Sequence, residues 1–280
     1  MVKKWLISIL ILGMLLAGCS SNTTNAEEET VKVGIRSNHT RVWDYLKDEA
    51  KKEGINIEIV NFSSAVDPNQ ALAEGDIDIN SFQHVAYLDA FNENTESDLV
   101  PIGTTIIAPL GLYSIKYDSL EKLPDGAKIA VPNDASNWGR GLLLLQEARL
   151  IKVVEDFDGN GGEDKIKENP KNIDIVPVDG ASAPRVMEDT DASIINNGVS
   201  MEAGLSLADA LIHESKTAKP YINIIAARSE DEDNKIFKKI VDLYQSEKTA
   251  EFIEEAYKGN YLPTFISLDE LSTYKETYSN

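Results

Sequence analysis

Polar and aromatic side chains gather behind short apolar runs of this 280-residue chain. Asn80-Ser81-Phe82-Gln83-His84, with Tyr87 one turn on, follows the run 77–79. Asn133-Asp134-Ala135-Ser136-Asn137-Trp138-Gly139-Arg140 follows 128–131, and Asn196-Asn197-Gly198 follows 192–195. Asn223 lies in an extended stretch, 219–228, led by Pro220. In α/β sheets ligands bind at the carboxyl ends of strands. Each cluster alone has an ordinary reading, since Asn-Asn-Gly makes turns and a phenylalanine usually packs in a core. Together they set aromatic groups, one arginine and several amides where a small ligand would be held.

No motif for nucleophilic catalysis or a local metal site stands out. The three histidines, His39, His84 and His213, stand too far apart for a local zinc motif. No Gly-x-Ser-x-Gly elbow, phosphate loop or complete dinucleotide fingerprint occurs. Asp156, Asp158 and Asn160 with Gly161 copy the first half of a calcium loop, but position 12 of that loop would be Lys167, whose charge repels calcium. A solvated acidic loop is expected over 158–163, with no metal and no cofactor. Paired carboxylates are too numerous to identify an acid/base couple, so the chain is expected to bind without reacting.

Elements able to position these residues follow from periodicity. Runs 31–35, 55–62, 77–79, 128–131, 173–178, 192–195 and 221–227 suit strands. Helical spacing is present over 42–53, 69–74, 85–91, 138–148, 183–188, 234–245 and 247–257. Alternating strands and helices predict an α/β fold with parallel sheets. Two extended apolar stretches, 105–113 and 219–228, are read as crossings between two lobes. This gives a first lobe of 31–108 plus 226–280 and a second of 109–225.

The N-terminus sets the compartment. Lys3 and Lys4 precede an apolar run from 5 to 16, then Leu16-Ala17-Gly18-Cys19, as in a secretory signal. That run is short for a membrane span, which needs about 20 residues. Cys19 is the single cysteine, so no internal disulfide can form. Its setting resembles a bacterial lipobox, which implies a signal peptide of 1–18, acylation of Cys19 by palmitate or a similar chain, and a flexible tether of 19–30. Acyl chains contribute roughly 0.8 kcal/mol per buried CH₂ to membrane anchoring. Without Lys3 and Lys4 the chain carries 25 basic residues (27 less two) against 47 acidic, a net charge of −22. Such a surface repels nucleic acid and anionic lipid, so membrane contact is expected through the lipid.

The same clusters, read in order, resemble the methionine-binding lipoproteins of bacterial ABC importers, a branch of the periplasmic binding proteins. The likeness spans about 31–265 and rests on Phe82-Gln83-His84, Pro132-Asn133-Asp134, Asn137 with Gly139-Arg140, the leucines 142–145, Ile195-Asn196, and Pro220-Tyr221-Ile222-Asn223-Ile224. It implies a two-lobed fold (type II-like) with the ligand in the interlobe cleft, delivery of L-methionine to an ABC permease, and a monomer lipid-anchored on the outer face of the cell membrane. That face is extracellular in a host with one membrane and periplasmic in a host with two. It further implies that Phe82, His84 and Tyr87 wall the thioether, that Arg140 takes the ligand carboxylate, and that Asn196 and Asn223 hold its backbone groups, with Asn133 and Asn137 nearby. Ala65 and Ser81 stand where the family often has aromatics, which widens the cleft unless Trp43 or Trp138 refills it. Ser37-Asn38, Thr40, Trp43 and Asn196-Asn197-Gly198-Val199 resemble a branch that holds a methionine-containing dipeptide such as Gly-Met. An adhesin or hydrolase on the same scaffold is the alternative of another class.

Overall fold

The computed structural model describes residues 29–63, 66–214 and 219–279. The signal, Cys19 and Ala65 lie outside them. Glu29 and Thr30, read as the end of the tether, already pair with Ile55 and Asn56 in the first sheet.

Strand β1 (Glu29–Arg36) buries Val31, Val33 and Ile35. It feeds α1 (Thr40–Lys52), whose Val42, Trp43, Leu46 and Ala50 form one buried stripe. Then come β2 (Ile55–Phe62), α2 (Pro68–Ala73), β3 (Ile79–Ser81), α3 (Val85–Thr95) and β4 (Leu99–Ile107). Pro68 opens α2, where a missing N–H costs nothing, and Asp67 caps it by accepting from the Asn69 N–H at 2.9 Å.

After β4 the chain enters a second sheet: β5 (Gly111–Tyr113), β6 (Lys128–Pro132), α4 (Ala135–Glu147), a ribbon of β7 (Lys152–Val153) and β8 (Ile166–Glu168), then β9 (Asp174–Val178), β10 (Ala192–Ile195), α5 (Asn197–Glu202) and β11 (Ile212–His213). It returns through β12 (Ile222–Arg228), α6 (Lys235–Tyr244), α7 (Glu247–Tyr257), β13 (Leu262–Pro263) and α8 (Leu268–Ser272). The first sheet has the order β13-β4-β12-β3-β1-β2 and the second β11-β5-β10-β6-β9.

Each sheet carries its own apolar core. Val33, Trp43, Leu46, Ile57 and Tyr244 belong to the first, and Ile129, Val131, Leu142, Leu145 and Ile194 to the second. Burying one leucine fully contributes about 1.5–3 kcal/mol, so Leu142 and Leu145, both 0% exposed, fix α4 firmly on its sheet.

The sheets are mixed rather than parallel as expected. β1, β2 and β3 run parallel, as do β6, β9 and β10, but β12, β4 and β13 pair antiparallel in the first sheet, and β5 and β11 do so in the second. Four of them, β4, β5, β11 and β12, flank the two passages between the sheets, and β13 adds at the edge of the first sheet beside β4 after α7. The helix expected over 183–188 is two 3₁₀ pieces, Gly180–Ser182 and Arg185–Glu188; Pro184 between them has no N–H to continue an α-helical ladder. The loop expected to be solvated after Phe157 is partly pinned, because Phe157 is buried in the second core and its ring meets Tyr278 edge-on, with centroids 6.4 Å apart.

A candidate ligand cleft between the lobes

The carboxyl ends of β1, β2, β3, β6, β9 and β10 converge on one cavity of 340 Å³. Its size lies at the small end of the range for ligand pockets, about 300–1,000 Å³.

From the first lobe, the turn after β3 delivers Phe82 and His84. A buried amide network makes that turn rigid: Asn69 donates to Gln83 Oε1 at 2.7 Å, Gln83 donates to Asn69 Oδ1 at 2.6 Å and to Asn80 Oδ1 at 3.0 Å, and Asn80 donates to Asn69 at 2.8 Å. Gln83 therefore holds its neighbours in place. His84 also caps α3, its Nδ1 accepting from the Tyr87 N–H at 3.1 Å. With Nδ1 an acceptor, the proton sits on Nε2, which donates to Asn137 Oδ1 at 3.3 Å across the lobes. Burial, reinforced by the nearby Arg140 charge and partly opposed by the Asn137 bond, lowers His84 to a pKa of about 3, so the ring is neutral. Tyr87 donates to Asp67 at 2.9 Å and meets Phe82 edge-on at 5.8 Å. Burial and the Asp67 carboxylate push its hydroxyl pKa up, which keeps it protonated.

The second lobe supplies Asn137 and Arg140 from α4 and Asn196 from the end of β10. Asp134 caps α4 by accepting from the Asn137 N–H at 3.0 Å and from its Nδ2 at 2.9 Å. That aims Asn137 Oδ1 at the cleft, where Asn196 also donates to it at 2.9 Å. Arg140 is 3% exposed. Its Nε and Nη2 grip Glu214 at 2.7 and 2.5 Å, Nη2 also donates to the Ala108 carbonyl at 3.0 Å, and the guanidinium lies 4.4 Å from the Tyr221 ring centroid. Burial alone would lower the Arg140 pKa, but the Glu214 carboxylate more than reverses this, so the side chain stays charged. Nη1 has no acceptor among the described residues. Asn223 on β12, bridged to His84 through the backbone, is 6% exposed, lines the cleft and makes no side-chain hydrogen bond among them either.

Seven of the eight residues expected from the sequence thus line one cavity: Phe82, His84, Tyr87, Asn137, Arg140, Asn196 and Asn223. Asn133 does not, being exposed, with its backbone N–H bonded to Val178. Trp43 is 0% exposed in the first core against Tyr244, and Trp138 packs at Gly162, so neither refills the cleft. Ser81 is buried.

Also lining the cavity are Arg36, His39, Phe62 and Glu202, which the sequence does not single out as cleft residues, and Asn197, which belongs to the strand-end cluster Asn196-Asn197-Gly198. Arg36 ends β1, so the strand-end rule that selected the others reaches it too; its guanidinium lies 5.4 Å from the Phe82 ring. Glu214 carried no sequence signal, because its role depends on the return of the chain past Arg140. Gly198 marks a close approach of the lobes: a Cβ there would fall 2.0 Å from Asn38 Nδ2.

Among the described residues no group of three or more His, Cys, Asp or Glu is placed to hold a metal. No helix among them is long and apolar enough to cross a membrane.

Residues 31–265 match the family described as NlpA lipoprotein. The D-methionine-binding lipoprotein MetQ of Salmonella typhi is 37% identical over 258 residues, 90% of this chain and 94% of that protein. A nutrient binding protein from Burkholderia cenocepacia, solved bound to methionine, is 43% identical with a TM-score of 0.80, covering 84% of this chain and all of that one. Protein PG110 from Staphylococcus aureus is 40% identical with a TM-score of 0.84, over 89% and 99% of the two chains.

Proposed function

The chain belongs to the NlpA lipoprotein family, and on that premise we propose that it is the solute-binding lipoprotein of an ABC importer, capturing methionine between its lobes. The observation that carries this reading is the junction of two unlike walls around 340 Å³. Rings stand on one side, and a buried arginine with an unspent nitrogen stands on the other.

In this reading the thioether lies among Phe82, His84 and Tyr87, where sulfur at an aromatic edge gains roughly 0.3–1.5 kcal/mol. A neutral His84 suits that slot, since a cation would demand a polar partner. The ligand carboxylate meets Arg140 through Nη1. The contact is made by one nitrogen rather than by a bidentate fork, because Glu214 already occupies Nε and Nη2. The free amide of Asn223 and that of Asn196 complete the ligand's polar end. Lobe closure then seals the ligand from water. The protein binds and releases without reacting, hands its ligand to a permease, acts as a monomer, and is held to the outer face of the membrane by lipid on Cys19. Protein lacking residues 1 to 19 gains thermal stability on addition of L-methionine, as a ligand that binds only the native state requires; no gain with L-methionine or its D-form would contradict the reading.

A second reading, a methionine-containing dipeptide such as Gly-Met, has its own support. His39 Nδ1 and Asn197 Oδ1 are buried without a hydrogen-bond partner, and both residues line the cleft near Arg36 and Glu202. Buried polar atoms are normally satisfied, so these leave capacity for a further polar group. In competition calorimetry Gly-Met displaces L-methionine if this reading holds, and fails to if it does not.

A further inference from the structure

Glu214 has no place among the residues that would touch the ligand, yet it joins three separate parts of the molecule. Its Oε1 accepts from Arg140 Nε at 2.7 Å, and its Oε2 accepts from Arg140 Nη2 at 2.5 Å and from the Leu110 N–H at 2.7 Å. Leu110 lies in the first passage between the sheets, between β4 and β5. Arg140 touches the same passage by donating to Ala108. Glu214 itself stands at the end of β11, where the second passage begins, and its own N–H bonds the Leu110 carbonyl at 2.9 Å. Its side chain is 9% exposed and that of Arg140 3%.

We infer that Glu214 is the positioning residue of the ligand-binding arginine: it takes up Nε and Nη2, leaves Nη1 as the donor facing the cleft, and fastens that arginine to both passages between the lobes. Arginine's five donors are arranged in a rigid plane, so occupying one edge of the fork fixes where the remaining donors point. A lone arginine on α4 would pivot about its long side chain and could present either edge to a carboxylate. Here only one approach remains. The ligand's carboxylate pulls on a group already tied to Leu110 and Ala108, so its capture is felt where the lobes join. The inference rests on the proposed role of Arg140 as carboxylate partner.

Two measurements test it. In a crystal structure of the wild-type mature protein with L-methionine, Glu214 should still occupy Arg140 Nε and Nη2, with the ligand carboxylate on Nη1. A ligand carboxylate seated on Nε and Nη2 with Glu214 displaced would overturn the inference. Glu214→Asp keeps the charge but withdraws the carboxylate by one methylene. Calorimetry should show it binding L-methionine at least about tenfold more weakly, the scale of one charge-assisted hydrogen bond. L-methioninamide, which lacks the carboxylate, should lose less than about twofold against wild type. Equal losses for both ligands, or none for L-methionine, would mean that Glu214 acts only on the scaffold. Absence of L-methionine binding by the wild-type protein is a different result, and it strikes at the proposed function instead. Should Glu214→Asp fail to fold, the wild-type complex decides alone.

Discussion

The two walls of the cleft are built on opposite principles. The first lobe presents chiefly rings, Phe62, Phe82, His84 and Tyr87, with Arg36 beside them, and steadies them with the amides Asn69, Asn80 and Gln83 and with the Asp67 carboxylate on Tyr87. The second lobe presents hydrogen-bonding groups, Asn137, Arg140 and Asn196, and steadies them with carboxylates, Asp134 and Glu214. A ring wall recognises shape and loses affinity gradually when trimmed. A charged wall recognises one functional group and fails abruptly when a single partner is removed, because the other is left buried and unpaired.

That contrast sets the order of expected effects. Arg140→Ala should cost the most, about 2–5 kcal/mol of binding energy to methionine, and should abolish the ligand-induced rise in melting temperature. A retained rise would remove the charged wall from the account. Gly198→Val should follow, since the added side chain collides with Asn38 where the lobes meet. Ligand affinity measured by calorimetry should drop at least about tenfold, roughly 1.4 kcal/mol. Phe82→Ala should weaken binding less than Arg140→Ala, by about 1–3 kcal/mol, in keeping with a shape contact. Gln83→Leu should instead act on the scaffold, lowering unfolding free energy in urea by about 1–3 kcal/mol through the orphaned Asn69 and Asn80.

The ring wall also predicts a pH signature. His39, lowered by burial to a pKa of about 4, and His84, lowered to about 3, are neutral when folded. Unfolded, they take up protons near pH 6.5. The unfolded state therefore binds more protons as pH falls below about 6.5, and stability declines there by at most about 1.4 kcal/mol per pH unit for each histidine, until the folded values are reached. Melting temperatures between pH 7 and pH 5 should fall for wild type and fall less for His84→Asn; an equal fall would separate His84 from the effect.

The same division explains what the sequence disclosed. The strands and their polar ends were legible because alternation and apolar runs report burial directly, so 31–35, 55–62, 128–131 and 192–195 all coincide with strands and carry the cleft at their ends. Strand direction was less legible, since β12 and β4 pair antiparallel only once the chain has passed to the second sheet and back. Asn133 was included because it shares a turn with Asp134 and Asn137, but a turn points its residues in different directions. Glu214 could not be found, because Arg140, the group that gives it meaning, lies far along the chain. Trp43 drew attention as an aromatic near a site motif, yet its position in the α1 stripe with Val42, Leu46 and Ala50 commits it to the core.

The two walls together leave room for one sulfur-bearing amino acid, or a short peptide ending in one. Native mass spectrometry of the mature protein, purified freshly and without denaturation, tests this occupancy most directly. A population heavier by one methionine, or one methionine-containing dipeptide, is expected, and it should vanish in Arg140→Ala. A wild-type protein that carries no such mass and gains none when methionine and Gly-Met are added in excess would contradict that occupancy.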